Sequence, residues 1–489
     1  MRIALAFLAM VWPLSADLRT VLLPSKSPLI TFRFVFLTGA ADDPADKPGL
    51  ASLTASMLAR GGSAKMPYSQ VVEAMFPMAT SVGVHTDKEM TTFSADTHLD
   101  NLDAFYAIFR DMILEPGWRA EDLKRLREDG INNLRVTLRS NNEEELGKEV
   151  LYNAIYAGHP YGHHNLGSVT GLQKITLEDL KSFHRTRYTQ ANLILGLAGG
   201  YPASFLARVK KDFASLPPGK RDTVERPAPA AIDGFRLTMV EKQTRSVAVS
   251  LGFPIEVHRG HADFPAMLVT QSYFGQHRNS AGRLFDRMRE KRGLNYGDYA
   301  YIEYFPSGMF VFEPAPNLAR RQQIFQIWIR PLESPTAHFG IRLAMHELDR
   351  LVRMGMTEEE FQRTRDFLSK YVNLLTKTKR AELGYAIDSL YYGIPEYNKF
   401  VKDGLAKLSR DKVNTAIKKH LRVDNLHMVV IANDAGDWKK RLLGNAPSPM
   451  TYNSAKPEDI LAEDKIVEKR RLPLKAENIT IVPVEKIFE

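Results

Sequence analysis

Apolar positions along this chain fall into two recurring patterns, dense strand-like runs and amphipathic helical stretches, and they recur in the same order in both halves. Residues 29–37 (LITFRFVFL) and 246–254 (SVAVSLGFP) are rich in β-branched and aromatic side chains. Each predicts a buried strand followed by a polar, Asp-containing loop and then a helix. The stretch from Leu177, LEDLKSFHRTRYTQANLILGLAGG, has the same layout as RDKVNTAIKKHLRVDNLHMVVIAND from Arg410. Both predict an amphipathic helix, a short turn holding Asn192 or Asn425, and a buried strand.

Shorter phrases repeat as well. The segment from Glu121 (EDLKRLR) has the pattern of that from Glu359 (EEFQRTR), and each opens a long helical stretch. Downstream, Glu145-Leu-Gly147 leads to Ile155 and Tyr156, as Glu382-Leu-Gly384 leads to Tyr391 and Tyr392. Repeats of this kind predict two homologous α+β domains of about 210 residues each, within the usual domain size. They span residues 17–225 and 230–444. Between them, residues 216–234 (LPPGKRDTVERPAPAAIDG) are too rich in proline and mixed charge for regular structure. A tail follows over 445–489, where an apolar alternation at 479–484 suits an edge strand or a strap across the body.

Composition narrows the classes. Hydrophobic residues are 44% and charged residues 25%, the balance of a globular chain able to bury a core. There is no apolar run of 18 residues, so a membrane-spanning helix is excluded. The net charge of +9 is scattered and forms no basic arm, which argues against nucleic acid. Zero cysteines remove disulfides, thiol nucleophiles and thiolate metal sites. Residues 1–16 (MRIALAFLAMVWPLSA) have one positive charge, an apolar centre, Pro13 and then small Ser15 and Ala16. That is the layout of a short signal peptide, and it predicts export, to the periplasm if the source is bacterial.

The repeat, GLASLTASMLARGG from Gly49, GHPYG from Gly158, and RLFDRMREKRGLNYGDYAY from Arg283 together resemble the pitrilysin/insulinase family of zinc peptidases, from about Asp17 to Leu443. The resemblance implies that each domain is a mostly antiparallel sheet with helices on one face, and that the chain is half of a clamshell. Family members carry H-x-x-E-H on a helix, where residues one turn apart share a zinc ion and the glutamate activates water. Here that motif falls on Ser52, Ala55 and Ser56, and the family's third ligand on Asn133. None of these binds zinc tightly or takes a proton at neutral pH. The resemblance thus implies the fold without its usual catalysis, and no metal held by this chain.

A second family feature is kept. Arg289 and Tyr296, seven residues apart, match the pair with which the second domain grips a substrate carbonyl and its developing oxyanion. Arg289 is expected to close a helix and Tyr296 to start a strand. The bland alternative is a surface ion pair for Arg289 and an aromatic strand packing Tyr296 with Tyr299, Tyr301 and Tyr304. The resemblance implies a zinc-bearing paralogous subunit as partner and unfolded peptides as substrates. A non-catalytic peptide-binding scaffold is the rival reading, and an active peptidase with atypical ligands a third. For the third, His159, His163 and His164 beside Glu149 are the densest histidine cluster, though the loop GHPYGHHN reads first as a turn. His85, Asp87 and Glu89 alternate and, with His98 close by, read as a hydrogen-bonded or solvated strand face. Gly61-Gly62-Ser63 lacks the lysine of a phosphate loop.

Overall fold

The computed structural model describes residues 18–221, 226–306 and 311–489. The signal segment inferred at residues 1–16 lies outside them. The first sheet is built from β1 (Arg19–Pro24), β2 (Leu29–Phe36), β3 (Gly83–Thr86), β4 (Thr91–His98) and β5 (Leu193–Gly199), in the order β1-β5-β2-β4-β3. The pair β1 and β5 runs parallel, and the other neighbours are antiparallel. The second sheet uses β6 (Phe235–Glu241), β7 (Ser246–Ile255), β8 (Asp298–Tyr301), β9 (Gln323–Glu333) and β10 (Leu426–Ala432). Its order, β6-β10-β7-β9-β8, repeats the first sheet strand for strand, with the same sense at every pairing. The duplication seen in the sequence is therefore a duplication of topology. The tail adds a helix, Glu458–Val467, and β11 (Leu474–Pro483), which runs parallel to β6 on the outer edge. Of the two roles open to the tail, 474–483 form the edge strand, and the residues after it cross to the first domain as a strap.

Both sheets are mixed and mostly antiparallel, with parallel pairing confined to β1–β5 in the first and to β6–β10 and β6–β11 in the second. One part of the expected architecture needs correction: helices do not cover one face only. In the first sheet, Ile30, Phe32, Phe34 and Phe36 point into the domain's own core, where Phe32 meets Phe105 and Phe109 at 5.2 and 5.6 Å. The alternate residues Val35, Ile194 and Ala198 pack instead against Leu383, Ile387 and Tyr391. Those belong to the helix Lys379–Tyr392 of the second half. The exchange is reciprocal: the first-half helix Glu143–Ile155 lies on β7 and β10, so Ala248, Val429 and Ile431 join the first domain's core. Period-two alternation with both faces apolar is what permits a sheet to be sandwiched this way.

The repeated Glu-Leu-Gly phrase now has a physical reason. A Cβ on Gly384 would lie 2.5 Å from Cγ of Pro316 and 2.6 Å from Nη1 of Arg33, and one on Gly147 would lie 3.1 Å from Oγ of Ser250. Each glycine lets its helix approach the other half. Ion pairs close the seam: buried Arg320 pairs with buried Asp87, its guanidinium 3.6 Å from the ring centre of Tyr304, and the exposed Arg321 reaches buried Glu89 at 2.9 Å. Strand β3 ends at Thr86, so Asp87 and Glu89 sit in the buried turn before β4 and not on a strand face shared with His85.

Candidate functional site

The helix Leu50–Arg60 follows Gly49, whose φ of 104° is a left-handed conformation that favours glycine. Asp43 holds this start, accepting the amide N–H groups of Gly49 and Ala51 at 2.6 and 2.7 Å. A carboxylate there also complements the helix dipole. Ser52 and Ala55 are buried in packing, while Ser56 is half-buried and faces outward to a groove. The opposing wall is the helix Ala120–Asn132, which widens into a π-helix over Asn133–Leu138. Ser56, Asp129, Asn133, Val136, Thr137 and Leu166 are among the residues lining a cavity of about 660 Å³. The fold thus brings Ser56 and Asn133 to one groove, but Ser52 does not line it. Arg60 and Asp129, also on its walls, are ion-paired at 2.7 Å.

The donor set does not suit zinc. Two hydroxyls and a neutral amide replace imidazoles and carboxylate, and Ala55 offers no donor.

Arg289 lies in the last turn of a second π-helix, Phe285–Glu290. Its Nη1 donates to the backbone oxygen of Tyr296 at 3.3 Å, and its guanidinium sits 4.8 Å from the centre of the Phe285 ring and 5.9 Å from that of Tyr296. Tyr296 precedes the strand it was expected to start, since β8 begins at Asp298. At 79% exposure it does not pack with Tyr299, Tyr301 and Tyr304, all of which are buried. The loop that presents it is braced by Asn295, which accepts the amide of Gly297 at 3.0 Å and donates to Asp298 and to the carbonyl of Arg330. Arg289 and Tyr296 are therefore adjacent, Tyr296 exposed and Arg289 half-buried, and Arg289 also makes the surface ion pair of the alternative reading, with Glu290 at 3.7 Å. Both π-helices fall at positions singled out by the sequence, a form of helix frequent at functional sites. Nothing in local periodicity marks them beforehand.

The loop histidines do not converge. His159 is 2.8 Å from the carbonyl of Pro227, His163 is 3.1 Å from Asp43, and His164 is 3.8 Å from Glu149. Among the described residues, His261, Asp263 and His420 form a cluster with metal-ligand character that the sequence reading missed. They come from the loop after β7 and from the helix Arg410–His420, too far apart in sequence for a spacing motif. In the fold, Asp263 accepts from Lys419 at 2.8 Å and is 2.7 Å from His420, while Nδ1 of His261 accepts the amide of Asp263. A lysine ammonium already neutralises that carboxylate, so the group stands as an ion-pair network. No helix among the described residues is long and apolar enough to cross a membrane.

The chain is thus a duplicated α+β unit with interlocked halves, a groove on the first helix of one and an arginine–tyrosine pair on the other. Residues 20–168 match the family profile "Insulinase (Peptidase family M16)" and residues 174–368 the profile "Peptidase M16 inactive domain", together more than half of the chain. The chain belongs to the M16 insulinase family. Its relatives carry different names. One is an uncharacterized zinc protease of Mycobacterium bovis, 27% identical over 270 residues, or 55% of this chain. That match spans only 60% of the mycobacterial protein's length. Another, the "Non-peptidase homolog YmxG" of Helicobacter pylori, is 22% identical over 84% of this chain and 90% of its own. Among solved structures, a peptidase M16 inactive domain from Pseudomonas fluorescens aligns with a TM-score of 0.73 at 22% identity, covering 86% of this chain and 96% of that one. The periplasmic protease PqqL from Escherichia coli aligns at 0.67 and 15% identity over 94% of this chain, but only 50% of its own.

Proposed function

We propose that this chain is a zinc-free member of the family that completes the peptide-binding chamber of a zinc-bearing paralogous partner. The observation that carries the reading is a contrast: the motif positions Ser52, Ala55, Ser56 and Asn133 lack zinc donors, while a half-buried Arg289 stands beside an exposed Tyr296. A pair with no zinc in its own chain has chemistry to do opposite another. The match to half the length of PqqL supports a chain that is one half of a clamshell. The partner would contribute the metal and the general base. This chain would contribute binding and orientation.

The guanidinium of Arg289 and the phenolic O–H of Tyr296 are donors that can converge on a carbonyl oxygen of a bound peptide. As charge gathers on that oxygen, fixed donors strengthen, which is the origin of oxyanion stabilisation. Bracing of the loop by Asn295 keeps the cost of orienting Tyr296 low. Strand β3, at the open edge of the first sheet, offers unpaired backbone groups to an extended substrate, a mode that gives breadth of sequence. Substrates would be unfolded peptides, and the compartment would be outside the cytoplasm, periplasmic in a bacterium.

The test is co-purification with a paralogue carrying an intact H-x-x-E-H, followed by peptide hydrolysis assays. Arg289→Ala is expected to lower kcat of the mixed complex by about 10²–10³-fold and Tyr296→Phe by about 10-fold or more, the range for losing an oxyanion donor. Unchanged kcat in both would overturn the catalytic role and leave a peptide-holding scaffold.

A further inference from the structure

Beyond β11 the chain turns through Val484–Lys486 and leaves the second domain for the first. Its last described residues are seated against the π-helical wall of the Ser56 groove and against the start of the short helix Val169–Lys174. Backbone N–H groups of Val169 and Thr170 donate to the carbonyls of Phe488 and Glu489 at 2.8 and 3.1 Å. The hydroxyl of Thr170 donates to the same Glu489 carbonyl at 2.5 Å. The Glu489 side chain receives Arg135 through Nε and Nη2 at 3.1 and 2.8 Å, and Arg139 through Nη1 at 2.8 Å. Arg139 also donates to the carbonyls of Glu485 and Ile487. Between these contacts, the Phe488 ring is buried in the first domain's core, 5.3 Å from the ring of His164. Phe488 has a φ of 61°, a conformation that a bulky residue keeps only where its surroundings hold it.

The seat is specific to a sequence of side chains. It supplies a buried cavity for an aromatic ring, then two guanidiniums for a carboxylate on the next residue, with two backbone donors fixing the strand direction between them. Arg135 and Arg139 stand on the π-helix that begins at Asn133, and Val136 and Thr137 between them line the groove. Leu166, on the other flank, lines it too. Lys242, just past β6, reaches the same region, donating to the carbonyl of Ser140 at 2.9 Å and to Glu143 at 2.7 Å.

We propose that Arg135, Arg139, Val169, Thr170 and the pocket beside His164 form a receptor for an aromatic–acidic peptide segment, filled in cis by Phe488 and Glu489, and that this occupancy fixes the π-helical wall of the groove. The second domain's sheet edge is thereby coupled to the first domain's groove through six residues. A peptide of the same chemistry can occupy the receptor only when the chain's own segment leaves it. The inference stands apart from the reading of a zinc-bearing partner, since no step in it involves one.

The experiment uses full-length protein and hydrogen exchange read by mass spectrometry. In Phe488→Ala/Glu489→Gln, amides over 133–141 and 163–170 are expected to exchange at least tenfold faster, with 474–483 in β11 unchanged. A synthetic peptide with the sequence of residues 484–489 (VEKIFE), added in excess, is expected to restore protection, and one with Ala and Gln at the last two positions is not. Glu489→Gln alone, a change at a partly exposed carboxylate, is expected to accelerate the same amides to a smaller extent, and serves if the double variant folds poorly. Unchanged exchange over 133–141 and 163–170 in Glu489→Gln, or failure of the native peptide to protect a folded double variant, would overturn the proposal.

Discussion

Asp298 opens β8 with no exposed surface, its Oδ1 taking the Asn295 amide at 2.8 Å and its Oδ2 without a partner. Burial raises its pKa from 3.8 to about 8, against the weaker pull of Asn295 and Arg330. The folded state therefore binds a proton that the unfolded state has lost, across the window from about pH 4 to about pH 8. Through that window stability falls as pH rises, the reverse of a salt-bridged aspartate. Asp87 is such a case: burial pushes its pKa up, but Arg320, His85 and the Lys88 amide together outweigh burial and hold it below the ordinary value. Its contribution is present above the unfolded carboxylate range and lost in acid. Asp298→Asn copies the protonated form, so the variant is expected to gain on the order of a few kcal/mol at pH 8 and little at pH 4. Denaturant midpoints at the two pH values check this, and equal gains at both would contradict it. Because Asn295 also braces Tyr296, the same variant reports whether that loop depends on the neutral carboxyl.

Helices Glu143–Ile155 and Lys379–Tyr392 set how the halves meet. Fully burying a Val or Ile is worth about 1.5–3 kcal/mol, so Val429, Ile431, Val35 and Ile194 make their cross-domain faces a real part of the stability. Gly384→Ala would gain about 1 kcal/mol of helix propensity and lose about 1–3 kcal/mol to overpacking on the rigid Pro316 ring. A net loss of about 0–2 kcal/mol is expected. Gly147→Ala meets only the movable Ser250 hydroxyl at 3.1 Å and is expected within about 0.5 kcal/mol of the parent. Urea unfolding of both variants measures the difference. At this scale much was legible: strands β2, β5, β7 and β10 and the amphipathic helices before β5 and β10 follow from local apolar patterning. Which sheet each Glu-Leu-Gly helix serves was not, because a helix buried on several sides carries no single apolar stripe to read. The π-helices escaped for a related reason, as one extra residue in a turn leaves composition unchanged.

Over the whole molecule, the repeat predicted two like domains, and it could not predict that they trade helices or that Arg320 reaches Asp87 across 233 positions. Long-range pairing of this kind leaves no periodic trace. The same holds for the Phe488–Glu489 seat and for the His261, Asp263 and His420 cluster, both assembled from distant segments. Of the candidate site, the groove positions Ser56 and Asn133, which lie on different helices, and the adjacency of Arg289 and Tyr296 were readable only through the family resemblance. Ser52, Ala55, Ser56 and Asn133 are expected to leave this chain without zinc. The decisive measurement is the zinc content of the purified mature chain, expressed without a partner and dialysed against metal-free buffer. Well under about a tenth of an equivalent per chain is expected. About one tightly held zinc per chain would contradict it and move attention to the histidines at 159–164 or to His261, Asp263 and His420.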